Sequence, residues 1–201
     1  SITVASLAAA NMSHAIYYDE GMPVEDCDLV AISSTFPLVL RGAKMLAERQ
    51  QEMDRELLSA LAARGFKLDA GEDGSGYLMK VRRFHGGYYL NCGCSELIAE
   101  GKIGLIQYEE IDRFVEDGVC LKDGRRVPAQ LVVAATGYQS QLEVVRELLG
   151  EAVAGKLGQI WGMDADGELA NMFKPTAQKG LWFLGSSFAQ ARIFSKFIAL
   201  Q

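Results

Sequence analysis

Two uninterrupted apolar runs that end in glycine and hydroxyl-bearing residues are the clearest pattern in this sequence. Residues 131–135 precede Thr136-Gly137-Tyr138, and residues 181–184 precede Gly185-Ser186-Ser187. An unbroken apolar run of this length is typical of a strand that is buried on both faces of a parallel sheet. In such sheets ligands bind beyond the carboxyl ends of the strands, so the pattern predicts an α/β fold with a nucleotide site near these glycines.

The longest stretch of helical periodicity lies between residues 37 and 64. Its apolar residues recur at spacings of three, four and seven, and the opposite positions are polar. We predict one long amphipathic helix with Pro37 in its first turn and Gly65 after its end. The glycine-rich loop at residues 71–76 is predicted to be a structural turn. A phosphate-binding loop would have to lead into a helix, and residues 77–84 read as extended chain.

Short runs between residues 103 and 128 predict a small antiparallel β-meander. Asp117-Gly118 and Asp123-Gly124 separate the last three of these runs, and Asp-Gly is a pair that tight hairpin turns favour. Two helices are predicted beyond the meander. Ser140 opens the first with the spacing of a capping box, and the second begins at about Phe188.

Composition narrows the class of protein. The chain has 201 residues and a net charge of −6, so it has the size of one large domain or of parts of two. It also lacks the basic balance of a nucleic-acid-binding protein. No run of about 18 apolar residues exists that could span a membrane. The sequence therefore predicts neither a nucleic-acid partner nor a membrane partner.

The cysteines indicate a compartment but no metal site. The four of them, Cys27, Cys92, Cys94 and Cys120, are too few and too irregularly spaced for a disulfide framework. This predicts a reduced, cytoplasmic protein. A zinc site at Cys92-Gly-Cys94 would need further ligands, and the two histidines stand alone, so no metal is predicted.

The segments with the strongest functional signal follow one another in a fixed order from about Pro23 to the end of the chain. The central one is Ala135-Thr136-Gly137-Tyr138. The others are residues 71–77, 86–91, 95–102, 160–164, 167–171 and 180–185. Together they resemble the bacterial and fungal branch of the flavin-containing monooxygenases, in which the central motif leads from the nicotinamide-nucleotide lobe back to the flavin lobe.

This resemblance implies an incomplete Rossmann-like, FAD/NAD(P)-binding architecture with the small antiparallel β-meander beside it. It also implies an enzyme that binds FAD and takes hydride from NADPH. Dioxygen is then activated as a flavin peroxide, and one oxygen atom is inserted into a small organic substrate. The cofactor carries the difficult chemistry, while the protein binds, orients and excludes water. No catalytic side chain is therefore assigned.

The resemblance further implies which residues contact the cofactors. Thr136 and Gly137 let the backbone pass close to them, and Gly185 permits a close approach to the flavin. The positive end of the last helix would favour negative charge on reduced flavin, although the serines before it are equally well explained as helix caps. The expected cofactor-binding residues are Thr136, Gly137, Tyr138, Gly185, Ser186, Ser187, Gln190 and Arg192.

The sequence departs from that family at the phosphate-binding loops. A dinucleotide site on this fold needs Gly-x-Gly-x-x-Gly between a strand and a helix, and the nearest match, residues 74–79, lacks the third glycine. Residues 1–10 have neither an initiator methionine nor the basic region of a signal peptide. We therefore expect the carboxyl-terminal part of a monooxygenase. Residues 1–135 would be a remnant of the nicotinamide-nucleotide lobe, and residues 136–201 a piece of the FAD lobe.

Two functions stay open at this point. Either the chain is part of a flavin- and NADPH-dependent monooxygenase, or it is a flavin-free, non-catalytic α/β module that is stabilised by self-association. FAD and NADPH are then cofactors of the longer enzyme, and this chain alone need bind neither. A yellow protein would favour the first function. A colourless protein that takes up no added FAD would favour the second.

We predict that the chain forms a homo-oligomer in solution. Two incomplete lobes would expose apolar patches larger than several hundred Å², on the order of those that mark interaction sites. A second copy can cover them, with exchange of elements between copies as one route. Light scattering measures the mass in solution, and a monodisperse monomer would contradict the prediction.

Overall fold

The computed structural model describes residues 1–18 and 21–201 and has a mixed α/β fold. The helices are α1 (Leu7–Asn11), α2 (Val24–Ile32), α3 (Phe36–Met53), α4 (Arg55–Ala63), α5 (Gly76–Phe84), α6 (Cys94–Ala99), α7 (Gln141–Leu149), α8 (Glu151–Leu157) and α9 (Phe188–Ile198). The strands are β1 (Thr3–Ser6), β2 (Tyr88–Asn91), β3 (Ile111–Val115), β4 (Gly118–Leu121) and β5 (Arg126–Pro128). Short 3₁₀ helices cover Met12–Tyr17 and Tyr108–Glu110.

A small parallel sheet organises the first half of the molecule. β1 pairs in parallel with β2, and on its other side Ile2 forms a parallel bridge with Leu68. The chain at Leu68, β1 and β2 therefore lie side by side in that order. α5 lies between Leu68 and β2 in sequence, which makes it the crossover that parallel strands require.

Helices cover this sheet on both faces. Ala5 of β1 packs with α1 and with Tyr77 of α5, while Val4 packs with Leu61 of α4 and Ile98 of α6. Successive residues of a strand point to opposite faces, so the two apolar clusters lie on opposite sides of β1. Coverage on both faces is typical of parallel sheets.

The expectation that residues 77–84 are extended is wrong, because they form α5. Tyr77 and Val81 are one helical turn apart and pack in the same cluster against the sheet. The segment lacks the strict alternation of apolar and polar residues that a half-buried strand needs. Its helical form means that the glycine-rich loop, residues 71–76, does lead into a helix.

A partly buried ion pair holds α5 against that loop and against β1. Lys80 Nζ lies 2.6 Å from Asp69 Oδ2 and donates to the Gly87 carbonyl at 3.0 Å. Asp69 Oδ1 accepts hydrogen bonds from the Thr3 hydroxyl and from the Gly71 N–H. Burial by itself would raise the pKa of Asp69, but the hydrogen bonds, first of all from Lys80, outweigh it and hold the pKa well below its usual range. The carboxylate therefore stays charged and joins three segments.

The single long helix expected over residues 37–64 is divided at Asp54 into α3 and α4. Asp54 is buried, and its Oδ2 accepts a hydrogen bond from the Ser6 N–H at 2.7 Å. The backbone of Asp54 leaves the helical region, with φ −94° and ψ 10°, as the carboxylate turns inward to the end of β1. Helical structure on both sides of the break is confirmed.

The antiparallel meander is confirmed, with three strands in the order β3-β4-β5. Residues 103–107, a further run in the same region, form no strand. Glycine is required at position 118, because its φ is +149° and a Cβ there would lie 2.1 Å from the Val127 carbonyl oxygen. The second Asp-Gly turn also has a glycine with positive φ, Gly124 at +89°.

The first apolar run does not form the buried strand that the sequence predicts. Residues 131–135 have no regular secondary structure and are exposed throughout. Leu131 and Val133 are 79% and 77% exposed, which is extreme for such side chains. A strand needs neighbours for its backbone hydrogen bonds, and within the described residues no strand pairs with this run.

The second apolar run is only partly strand-like. Phe183 forms one parallel bridge with Met172. Leu181 and Phe183 pack into a core, while Trp182 and Leu184 are exposed. Residues 181–184 therefore alternate between inside and outside, whereas the unbroken apolar run predicts burial on both faces.

A second apolar core fills the carboxyl-terminal part of the chain. It unites α7, α8 and the segment that contains Trp161 and Met172. The ring of Phe173 stacks on Phe194 of α9, with 4.2 Å between centroids. α7 begins after Ser140 as predicted, but the Ser140 side chain makes no capping hydrogen bond, so the capping box is wrong.

Helix length and composition bear on membrane insertion. In the two described ranges, no single helix is both long and apolar enough to cross a bilayer. α2 and α3 reach that length and composition only as a pair, and they are bent by 105° at the break between them.

We expect Leu61→Ala to lower the free energy of unfolding by about 2–5 kcal/mol, because it leaves a cavity where the side chain is fully buried. Leu148→Ala is the matched control. Leu148 is 76% exposed on α7, so its loss should change stability by about 0.5 kcal/mol or less. Urea denaturation followed by circular dichroism measures both, and equal losses would contradict the burial described for α4.

Candidate functional site

Three cavities meet around the carboxyl-terminal half of α5. Cavity A, of about 300 Å³, lies among the first 3₁₀ helix, α2, α3 and α9. Cavity B, of about 760 Å³, lies among α1, α3, α5 and the start of α9. Cavity C, of about 880 Å³, lies between the end of α5 and residues 136–141. Arg82 lines both A and B, and His85 lines both B and C. All three have the size of small-molecule sites, which are about 300–1,000 Å³.

Cavity B receives the start of α9. Ser186, Ser187 and Gln190, three of the expected cofactor-binding residues, line it together. The Ser187 side chain accepts a hydrogen bond from the Gln190 N–H at 3.2 Å, so helix capping, one of the two roles considered for this serine, is present. Ser186 has a φ of +75°, a conformation that is costly for a residue with a side chain.

An unpaired acceptor is buried at the same place. Gln190 Oε1 is inaccessible to solvent and has no hydrogen-bond partner in the described part of the chain. Leaving such an atom without a donor costs about 1–3 kcal/mol. The first N–H groups of α9 have no partner within the helix, and they carry its partial positive charge. The Gln190 N–H is taken up by the Ser187 cap, so the Phe188 and Ala189 N–H groups are the donors that the first turn of α9 leaves for a ligand.

Cavity C contains the other group of expected residues. Thr136, Gly137 and Tyr138 line it opposite Trp161. Gly137 has a φ of +93°, and no described atom lies within 4 Å of where its Cβ would be. The glycine is therefore required by backbone conformation and leaves open space for a ligand.

The remaining two expected residues lie outside the cavity walls. Gly185 faces Met172 Cε and Gln141 Nε2, at 3.3 and 3.9 Å from the position of a Cβ. Arg192 forms an ion pair with Asp28. Arg192 Nε donates to Asp28 Oδ2 at 3.0 Å, and Arg192 Nη2 donates to Asp28 Oδ1. The structure therefore brings Ser186, Ser187 and Gln190 together in cavity B and the hinge residues together in cavity C.

The Asp28–Arg192 pair fixes α9 on α2. Tyr17 also donates to Asp28 Oδ1 at 3.1 Å, and its ring lies 5.8 Å from the Arg192 guanidinium. The hydrogen bonds from Arg192 are the largest influence on Asp28 and lower its pKa. Arg192 is thus a positioning residue that sets where the start of α9 enters cavity B.

A stacked pair of rings lies where cavities B and C adjoin. The His85 imidazole lies 3.7 Å from the Trp161 ring, centroid to centroid, with 24° between the planes. Both residues have left-handed backbones, with φ of 55° and 69°, which is unusual for residues with large side chains. Trp161 Nε1 donates to the Val81 carbonyl at 2.9 Å. Partial burial lowers the pKa of His85.

Sequence reasoning missed Arg82, and it assigned no binding role to His85 or Trp161. One available signal for Arg82 was its spacing of four from Leu78, which places both on one helical face. That signal depends on α5 being a helix, and the segment was expected to be extended. His85 and Trp161 come together only through the fold, because 76 positions separate them in the chain.

The cysteines form no bond with one another. Cys27 and Cys120 are buried, Cys92 and Cys94 are exposed, and all four are free thiols. Over residues 1–18 and 21–201, no three histidine, cysteine, aspartate or glutamate side chains are grouped so that they could hold a metal ion.

Comparison with known proteins assigns no family. No protein-family model matches this chain, and no curated protein matches it significantly. The functional argument therefore depends on the ordered motifs of the sequence and on the geometry of the three cavities.

We expect the fluorescence of Trp161 to fall as His85 becomes protonated, because the imidazolium then lies against the indole face. With Trp182→Phe as background, the midpoint should lie below pH 6.5, the ordinary value from which burial lowers the His85 pKa. The same shift means that any stability contributed by neutral His85 is complete above pH 6.5 and is lost as the pH falls through the lowered pKa.

His85→Asn should abolish this titration, since asparagine tolerates the left-handed backbone. His14→Asn is the matched control and should leave it unchanged. A midpoint at or above pH 6.5 would contradict the stacked, partly buried imidazole.

Proposed function

We propose that this chain is the carboxyl-terminal part of a flavin-dependent, NADPH-using monooxygenase with Rossmann-like lobes. The observation that carries the proposal is the buried Gln190 Oε1, which lacks a hydrogen-bond donor beside the start of α9 in cavity B. The ordered motifs around Thr136-Gly137-Tyr138 support it from the sequence side. The parallel sheet covered by helices on both faces supports it from the fold side.

The residues of cavity B fit the ring end of a flavin. The pyrimidine edge of that ring alternates carbonyl oxygens with an N–H. It would accept from the free amides at the start of α9, and it would donate to Gln190 Oε1 once that side chain turned toward the cavity. Apolar side chains such as Leu7, Leu78 and Leu90 line the same cavity and suit a flat ring. When bound and reduced, FAD supplies the redox and oxygen chemistry, which no side chain can replace.

The protein's own contribution in cavity B is electrostatic and positional. The start of α9 would stabilise negative charge at the ring, because a helix amino terminus carries about half a positive charge. Ser187 keeps that terminus capped, and the Asp28–Arg192 pair holds the helix in place. A fixed array of dipoles needs no reorganisation when charge develops, which is the basis of such catalysis.

Cavity C is proposed for the nicotinamide end of NADPH. It adjoins cavity B at His85, and its wall contains the hinge residues Thr136–Tyr138 with open space in front of Gly137. A hydride donor must approach the ring that accepts the hydride, so adjacent cavities are what the reaction needs. The pyrophosphate groups of both cofactors are not assigned to residues of this chain, since the sequence contains no Gly-x-Gly-x-x-Gly loop.

The exposed run at residues 131–135 also supports membership of a larger lobe. Its composition is that of a central strand in a parallel sheet, yet Leu131 and Val133 are exposed. In the proposed enzyme, neighbouring strands would cover this run and lead it directly into the hinge.

Exposed apolar side chains, in this run and elsewhere, favour the second candidate function, a flavin-free module that associates with itself. Leu131, Val133 and Leu148 are each more than three-quarters exposed, and apolar surface of this kind is usually covered by a partner. Flavin binding separates the two candidates, because only the first requires it.

The test is uptake of riboflavin, which carries the ring without a pyrophosphate. We expect the purified chain to quench riboflavin fluorescence on binding, and Gln190→Ala to weaken the binding by roughly three- to tenfold, the value of one net hydrogen bond. Gln178→Ala is the matched control, since the Gln178 side chain bonds at the surface to Lys156 and Lys179. It should bind riboflavin like the unaltered chain.

A chain that stays colourless and takes up neither riboflavin nor FAD would overturn the proposal in favour of the self-associating module. Equal weakening by both glutamine substitutions would also count against it, because the ring would then not lie against Gln190.

A further inference from the structure

Arg82 is a charged side chain that has no partner among the residues that the structure describes. It is half-buried between cavities A and B, and burial lowers its pKa. Within residues 1–18 and 21–201, its guanidinium makes no hydrogen bond and no ion pair. The adjacent Arg83 is the contrast, because it is paired with both Glu72 and Asp73.

A position at the end of α5 does not explain this arrangement. Cations near the carboxyl end of a helix interact favourably with its dipole, but an exposed side chain achieves that without burial. Guanidinium carries five N–H donors and cannot be deprotonated in proteins. A half-buried guanidinium with none of its donors used by the protein is therefore free to bind an anion that enters the cavities.

The walls of cavity A indicate what is attached to that anion. Its volume is only about 300 Å³, and one side is apolar, formed by Ile32, Phe36, Val39, Ile193 and Phe194, while the rest of the lining is polar. A compact apolar group fits that apolar side. Glu168 also lines cavity A and is exposed. Its negative charge acts on Arg82 from beyond ion-pair distance.

We propose that cavity A binds a small apolar carboxylate, with the carboxylate on Arg82 and the apolar body against the aromatic and aliphatic walls. Planar guanidinium matches a carboxylate with two parallel hydrogen bonds. Cavities A and B share Ser187 and Gln190, so a molecule in A lies next to the site assigned to the flavin ring. Such carboxylates are accordingly the substrate class of the monooxygenase, and this last assignment rests on the proposed function.

The experiment measures binding to the full 201-residue chain by titration calorimetry in the absence of flavin. The probe is 3-phenylpropanoate, and 3-phenylpropanamide is its neutral counterpart. We expect the carboxylate to bind about tenfold more tightly than the amide, because charge-assisted hydrogen bonds in a partly buried site contribute on that scale. Arg82→Gln should abolish this preference and Arg82→Lys should retain part of it. Arg83→Gln, the matched control, should leave it unchanged.

Glu168→Gln tests the electrostatics of cavity A by removing its negative side chain and leaving Arg82 in place. Glu168 is exposed, so we expect the substitution not to affect folding. It should tighten carboxylate binding by about twofold or more, since it removes a like charge near the ligand, and leave amide binding unchanged.

Three results would overturn the proposal. They are equal affinity for the carboxylate and the amide, a preference that persists in Arg82→Gln, and displacement of 3-phenylpropanoate by inorganic phosphate at lower concentration. The last would make Arg82 a phosphate site. Because no flavin is present, a chain that binds the carboxylate but not riboflavin would sustain the anion site and reject the flavin proposal.

Discussion

The hydrogen bond from Trp161 Nε1 to the Val81 carbonyl joins the two halves of this molecule. The same carbonyl accepts from the N–H of His85, which ends α5, and the Val81 side chain packs with both apolar cores. Trp161 and Val81, which are 80 positions apart in the chain, are thereby held together. This contact holds the carboxyl-terminal core against α5, where cavities B and C adjoin.

Elements with a strong local signal could be predicted from the sequence. α7, α9 and most of α3 and α4 follow from apolar spacing, and the meander follows from its Asp-Gly turns. α5 could not be predicted in the same way, since its packing on α1 and β1 comes from distant segments. The break at Asp54 has the same origin, a hydrogen bond to Ser6 across 48 positions.

The candidate site also contains residues that local sequence identifies and residues that only the fold brings into place. Ser187, Gln190 and the hinge glycine were identified from motifs, and they do line cavities. Arg82 was not identified from the sequence, because its role depends on its position on α5, a helix that the sequence did not predict. Residues 131–135 show the converse, since local composition indicates a buried strand and the contacts that would bury it are not made within the described chain.

The Asp28–Arg192 clamp has a consequence for the order of folding. It closes a loop of 164 positions, and the entropy cost of closing a loop rises with its length. Contacts between residues so far apart become favourable only after nearer contacts have formed. The folding steps that depend on them are therefore slow. The sheet, the meander and the carboxyl-terminal core can each assemble from closer partners. We therefore expect α9 to join the carboxyl-terminal core first, through Phe194 and Phe173, and its contact with α2 at the edge of the ligand-binding surface to form later.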